Sequence, residues 1–174
     1  MQDEELIECI SATGWYILQH TPLALQSVAY RATYMSEDYA LELLKHHDVQ
    51  FPPNLLETLN APEPPTIDWF KRLPLIAGDY LWAVYVLVLE KPGELPAIYV
   101  GKSTNSQKTG YHARLRQHDD GVRTGQWVEK RKSEGFTITH KATLAWASSP
   151  LDPADKVRLT GLILLLETMF ALRF

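Results

Sequence analysis

The run YLWAVYVLVLE, residues 80–90, constrains this chain more than any other stretch. It is β-branched and aromatic with no polar face, and it has the length of a strand buried on both sides rather than of a membrane span. The Pro-Gly turn KPGELP follows, then AIYV at 97–100, so the two strands are expected to form a β-hairpin. TGYHARLRQHDDG has helical composition and stops at a glycine, and GQWVEKRKSEG reads as a short polar helix. FTITHKATLAW alternates, which places Phe136, Ile138, His140, Ala142, Leu144 and Trp146 on one face of a half-buried strand. Asp152 as N-cap and Pro153 at the first helical position then open a long, largely buried helix. Hairpin, helix, strand, helix in that order predicts an α/β sandwich around a small mixed sheet.

Residues 1–75 have a different character. Apolar residues recur at helical spacing in EELIECISATGWYILQ and in SEDYALELLKHH, with Ser36 as a helix start and Glu37 and Asp38 in its first turn. Residues 51–74 carry six prolines, which allows only short helices and turns. The expected organisation is an α-helical accessory or cap region over 1–75 and a main domain over 76–174. A chain of 174 residues, 45% of them hydrophobic, suits one globular domain with an appendage. The single cysteine, Cys9, leaves no intramolecular disulfide and no Cys-rich zinc site. The start MQDEELIECI is acidic where a signal peptide is basic, so a soluble intracellular protein with no membrane partner is expected.

Net charge is −4, but residues 99–141 hold nine Lys or Arg against four Asp or Glu, a local balance of +5. A basic segment within an acidic chain suggests one face meant for phosphates, although KRK at 130–132 alone reads as a solvated helix face. The tripeptide GKS at 101–103 raises the question of a nucleotide-binding loop. A P-loop needs a glycine five residues before Gly101, where Pro96 stands, and strand-like AIYV occupies the space in which the loop would wrap. His46 and His47 are adjacent and so cannot share a helical face as metal ligands; they read as surface. No Gly-x-Ser-x-Gly or Cys–His arrangement supports acyl transfer.

A more specific pattern surrounds GKS. AVY (Ala83, Val84, Tyr85) lies on the first strand and YVG (Tyr99, Val100, Gly101) ends the second, followed by Lys102. Arg114 and His118 stand four apart on the next helix, hence on one face. Glu167 sits in the last helix with Ile163, Leu164, Phe170 and Ala171 at i±3 and i±4, an apolar setting that is costly for a carboxylate unless it is paired or metal-bound. Judged singly, each tyrosine reads as an amphipathic core aromatic, and Arg114 with His118 as a solvated helix end.

Taken together, these residues resemble the GIY-YIG nuclease family, and YVGK is similar to the form found in its excinuclease C branch. The resemblance covers roughly residues 80–174. It implies a small, mostly antiparallel three-stranded sheet flanked by helices, and a divalent-metal-dependent endonuclease that hydrolyses DNA phosphodiesters at a single-metal site. In that reading Glu167 holds one Mg²⁺ or Mn²⁺, while Tyr85 and Tyr99 position and activate water. Arg114 stabilises phosphate charge with His118 assisting, and Lys102, Gly101 and Arg116 lie on the substrate side. A tyrosine base near neutrality needs a cationic neighbour, for which Lys102 or His118 is the candidate. DNA is the expected partner, and a protein partner or homodimer is compatible with the sequence. The alternative is a catalytically inactive nucleic-acid-binding or protein-interaction module that keeps the fold.

Overall fold

The computed structural model describes residues 4–20 and 37–174. The helix start expected at Ser36 lies outside the described residues. Among the described residues four helices precede the sheet: α1 (Glu4–His20), α2 (Glu37–His46), α3 (Leu55–Asn60) and α4 (Ile67–Arg72). Then come β1 (Leu81–Glu90), β2 (Ala97–Ser103), α5 (His112–Asp120), α6 (Gln126–Ser133), β3 (Thr137–Ser148) and α7 (Pro153–Arg173). Strand order is β2-β1-β3 and both pairings are antiparallel. The expected mixed sheet is therefore a purely antiparallel one with flanking helices, an α/β arrangement. Among the described residues no helix is long and apolar enough to cross a membrane.

β1 is the central strand, and every residue from Trp82 to Leu89 is buried. Trp82, Val84, Val86 and Val88 face one core, which they share with Leu6, Ile7 and Ile10 of α1, Leu43 and Leu44 of α2, and Leu162, Ile163 and Phe170 of α7. Ala83, Tyr85, Leu87 and Leu89 face a second, smaller core with Tyr111, Leu115, Val128 and Phe136. A strand with no polar face needs cover on both sides, and each large apolar side chain so buried stabilises the fold by roughly 1.5–3 kcal/mol. The first core is continuous from the N-terminal helices to the sheet.

β3 departs from the even alternation read in the sequence. Val84 lies opposite Ala145 while Tyr85 lies opposite Thr143, which leaves Leu144 as an extra residue; Thr139 is extra in the same way between His140 and Ile138. Two β-bulges thus switch the strand's faces twice. Ile138 and Trp146 join the smaller core, whereas Ala142 and Leu144 join the larger one. The first bulge turns Thr143 to the Tyr85 side, where its Oγ1 lies 3.0 Å from Tyr111 Oη and accepts the Ile76 N–H at 3.1 Å.

Helix ends follow the sequence signals closely. The Asp152 carboxylate accepts the N–H groups of Ala154 and Asp155, and Gly121 closes α5 at φ +69° with its N–H on the Gln117 carbonyl. α2 ends at His46, and His47 already belongs to the turn beyond, with Asp48 at φ +46°. The helical spacing rule applied to the two histidines does not hold across that boundary.

Candidate functional site

The hairpin register builds the site. Tyr85 pairs with Gly101 and Leu87 with Tyr99, so both tyrosines project from the same face of neighbouring strands. A Cβ at Gly101 would stand 2.7 Å from Tyr99 Cε1 and 2.8 Å from both Cζ and Oη of Tyr85. The two rings converge over that glycine, and no side chain fits beneath them.

α5 lays its buried stripe on this face through Tyr111, Leu115 and His118, at helical spacing. The third position of an apolar stripe is here an imidazole. His118 is fully buried, its Nε2 lies 2.8 Å from Tyr85 Oη, and its ring meets both Tyr85 and Tyr99 edge-on at 5.7 Å between centroids. Its Nδ1 is buried without a hydrogen-bond partner among the described residues. Burial pulls its pKa down to about 4, and the nearby cations Arg114 and Lys132 act in the same direction. His118 is therefore a neutral imidazole at physiological pH.

Arg114, one turn earlier, lies against the pair of phenols and donates to Gln117 Oε1 at 2.9 Å and to the Arg123 carbonyl. Burial raises the pKa of both tyrosines and Glu167 adds to that rise, while the Arg114 guanidinium opposes it. Burial wins, so both hydroxyls stay protonated. The sequence pointed to Lys102 or His118 as the cation beside them. The structure corrects this: His118 is neutral, Lys102 turns to Glu167, and Arg114 is the cation in place.

Lys102 pairs with Val84 on the α7-facing side of the edge strand β2, and its Nζ lies 3.7 Å from Glu167 Oε2. Glu167 is half-buried; burial raises its pKa and Lys102 partly offsets the rise. It is near enough to both tyrosines to bias them electrostatically. A half-buried carboxylate whose one salt-bridge partner among the described residues is an ammonium at 3.7 Å could take a hard cation that keeps most of its waters. Glu167 is the residue there that could hold a hard divalent ion such as Mg²⁺ or Mn²⁺.

The structure thus gathers Tyr85, Tyr99, Gly101, Arg114 and His118 into one cluster, with Lys102 and Glu167 at its margin. Arg116 is not part of it. It is exposed on the outer side of α5 and, like Arg123 and Lys130, forms no salt bridge among the described residues.

Two contributors went unnoticed in the sequence. Trp127 of α6 stacks on Tyr99 at 5.9 Å and 20°, with the Arg131 guanidinium 5.4 Å from its ring centre. Lys132 donates to the His118 carbonyl at 2.8 Å. An indole in an otherwise polar helix, GQWVEKRKSEG, was the available signal for Trp127; nothing local distinguishes Lys132 from its basic neighbours. The cavities lined by Leu6, Ile7 and Phe51 and by Pro53, Trp69 and Pro74 include neither tyrosine.

Comparison of the chain with protein-family models, with curated proteins and with solved structures returns no match.

Proposed function

We propose that the chain is a GIY-YIG-type endonuclease that hydrolyses DNA phosphodiesters with one Mg²⁺ or Mn²⁺. The observation that carries this reading is the convergence of Tyr85, Tyr99, Arg114 and His118 over Gly101, with Glu167 beside them. Residues separated by more than eighty positions meet at one place, and they are those the family resemblance singles out.

Hydrolysis adds water's oxygen to phosphorus, breaks one P–O bond, and delivers a proton to the departing oxygen. Arg114 offers a fork of N–H donors to the phosphate oxygens and offsets the charge that builds there. Tyr99, only partly buried, offers its hydroxyl to the incoming water or phosphate. Tyr85 and His118 form a two-member relay: the neutral imidazole accepts the Tyr85 proton as that hydroxyl takes one from the water, and the departing oxygen takes its proton from a solvent water. A metal bound at Glu167 supplies Lewis-acid neutralisation of the phosphate and leaving oxygen. Arg116, Arg123 and Lys130 leave exposed positive charge on the same segment for the DNA backbone.

The test is nicking of supercoiled plasmid by the full chain in Mg²⁺, in EDTA, and by Glu167→Ala in Mg²⁺. Cleavage in the first condition alone is expected; equal activity in all three overturns the assignment.

One observation favours the second reading, a binding module without turnover: Tyr85 and His118 are both fully buried and hydrogen-bonded to each other. That reading expects salt-dependent DNA binding that survives Glu167→Ala, with no cleavage by the wild type.

A further inference from the structure

Away from the tyrosines, the end of α2 meets the beginning of α7. His46, His47 and Asp155 each bring one donor atom there, and these atoms all lie within 4.8 Å of one another. His46 Nε2 is 3.5 Å from Asp155 Oδ2, and the two imidazoles sit edge-to-face at 4.8 Å between centroids.

The local backbone explains how adjacent histidines achieve this. α2 stops at His46; His47 and Asp48 form the turn, and the Val49 N–H closes it on the Leu44 carbonyl at 3.2 Å. Asp48 adopts the left-handed conformation that ends helices in this way. Opposite, the Asp152 cap and Pro153 set the first turn of α7, which places Asp155 toward the histidines. Val49 and Leu159, both fully buried, anchor the two elements just beyond the cluster.

We propose that His46, His47 and Asp155 form a site for a divalent transition-metal ion of the Zn²⁺ or Co²⁺ class, with its remaining position open to water. Two imidazole nitrogens and one carboxylate oxygen are a donor set for such ions and not for Mg²⁺ or Ca²⁺, which take oxygen ligands. Tetrahedral zinc, with bonds of about 2.0–2.1 Å, holds neighbouring ligand atoms roughly 3.4 Å apart. The His46–Asp155 separation of 3.5 Å already matches, and exposed His46 is free to turn inward.

His47 supplies a second, independent indication. Its Nε2 is one of three buried side-chain polar atoms among the described residues that lack a hydrogen-bond partner. An orphaned polar atom of this kind costs about 1–3 kcal/mol, and ligation of the ring is one way in which a fold sustains it.

Arg158 is the opposing charge. Its Nη1 lies 3.3 Å from Asp155 Oδ1, which leaves Oδ2, the oxygen facing His46, for the metal. Glu42 and Tyr39 stand nearby with His46 and Arg158, and Glu42 adds negative charge to the approach. Because its donors come from the end of α2, the turn after it and α7, the ion would staple the N-terminal helices to the sheet-bearing half, and it would bind the folded chain only. The site is independent of Glu167 and of the nuclease reading.

The experiment uses the full chain stripped with EDTA and dialysed free of it. Titration with Co²⁺ is expected to produce the visible absorption of low-coordinate cobalt at one ion per chain, and Zn²⁺ to displace it. Zn²⁺ at saturation should raise Tm, as any ligand of the native state does, while Mg²⁺ should neither displace the cobalt nor raise Tm through this site. His46→Ala, at an exposed position, and Asp155→Asn should each fold and weaken Co²⁺ binding by at least about tenfold. Absence of Co²⁺ binding by the wild type overturns the proposal. So does wild-type affinity in both variants, which would place the ion at another histidine such as His20, His112 or His140.

Discussion

The Tyr85 hydroxyl and His118 Nε2 meet at 2.8 Å between a central strand and a helix, with both side chains wholly withdrawn from solvent. The Tyr85 hydroxyl also meets the Arg114 guanidinium, whereas His118 Nδ1 has no hydrogen-bond partner among the described residues. Their bond is both the floor of the candidate site and part of the smaller core. Catalytic and structural consequences must therefore be separated by choice of variant.

Tyr85→Phe keeps the ring and removes only the hydroxyl, which leaves both imidazole nitrogens buried and unpaired. Loss of about 1–3 kcal/mol of stability is expected, read from the midpoint of urea unfolding at constant slope. If the relay operates, plasmid nicking at a temperature where the variant is still folded falls by roughly 10²–10⁴. A variant as stable as wild type would mean that the hydrogen bond contributes nothing net.

Acid should destabilise the chain through His118 before most carboxylates titrate. Its folded pKa of about 4 lies below the unfolded value near 6.5, so between those values the unfolded chain binds a proton that the folded one refuses. Stability is full above pH 6.5, declines as pH falls through the window, and stops declining from this cause below about 4. The loss is on the order of 3 kcal/mol. His118→Gln should flatten that part of the profile, as measured by Tm against pH; an unchanged slope would assign the acid sensitivity elsewhere.

Gly101→Ala places a methyl where two aromatic rings already lie at 2.7 and 2.8 Å. Overpacking of this kind costs about 1–3 kcal/mol, and relief must come from moving Tyr85 or Tyr99 off the other. Reduced cleavage is expected together with a lowered Tm. Gly93→Ala, in the hairpin turn at φ +80° with open space around it, is the control: backbone strain without disturbance of the tyrosines.

Glu167→Gln should separate stability from function. The carboxylate pays for its desolvation, and Lys102 at 3.7 Å offsets this only in part, so removal of the charge should change stability by no more than about 1 kcal/mol. Mg²⁺-dependent nicking should nonetheless disappear. Retained nicking in Glu167→Gln would remove this residue from the metal site.

Trp127→Ala removes the surface on which Tyr99 stacks. A stability loss of about 0.5–1.5 kcal/mol is expected, because one side of the indole is exposed. The tyrosine gains freedom, so nicking should slow through Tyr99 misplacement, and Trp127→Phe should restore most of the rate. Rescue by phenylalanine distinguishes a positioning role from a hydrogen-bonding one.

Much of the scaffold was legible because it rests on local chemistry. A strand apolar on both faces, a Pro-Gly turn, an Asp-Pro helix start and a glycine helix stop each act within a few residues, and each stands where the sequence indicates. The same holds for the relation of Arg114 to His118, which follows from helical spacing alone. The even face expected of β3 failed because bulges at Leu144 and Thr139 arise from pairing with β1, a partner some fifty residues away that alternation within β3 does not register.

The sequence by itself determined which side chains are available: two tyrosines on paired strands, an arginine and a histidine on one helical face, and a carboxylate set among leucines. Tertiary structure decided their chemical states. Burial outweighs Arg114 and keeps the phenols protonated, and the same burial strips His118 of its charge. It turned Lys102 to Glu167 and away from the tyrosines, and it brought His46, His47 and Asp155 together across two helices. Desolvation and through-space charge depend on what the whole fold places within a few ångströms, and that information is not local to any stretch of chain.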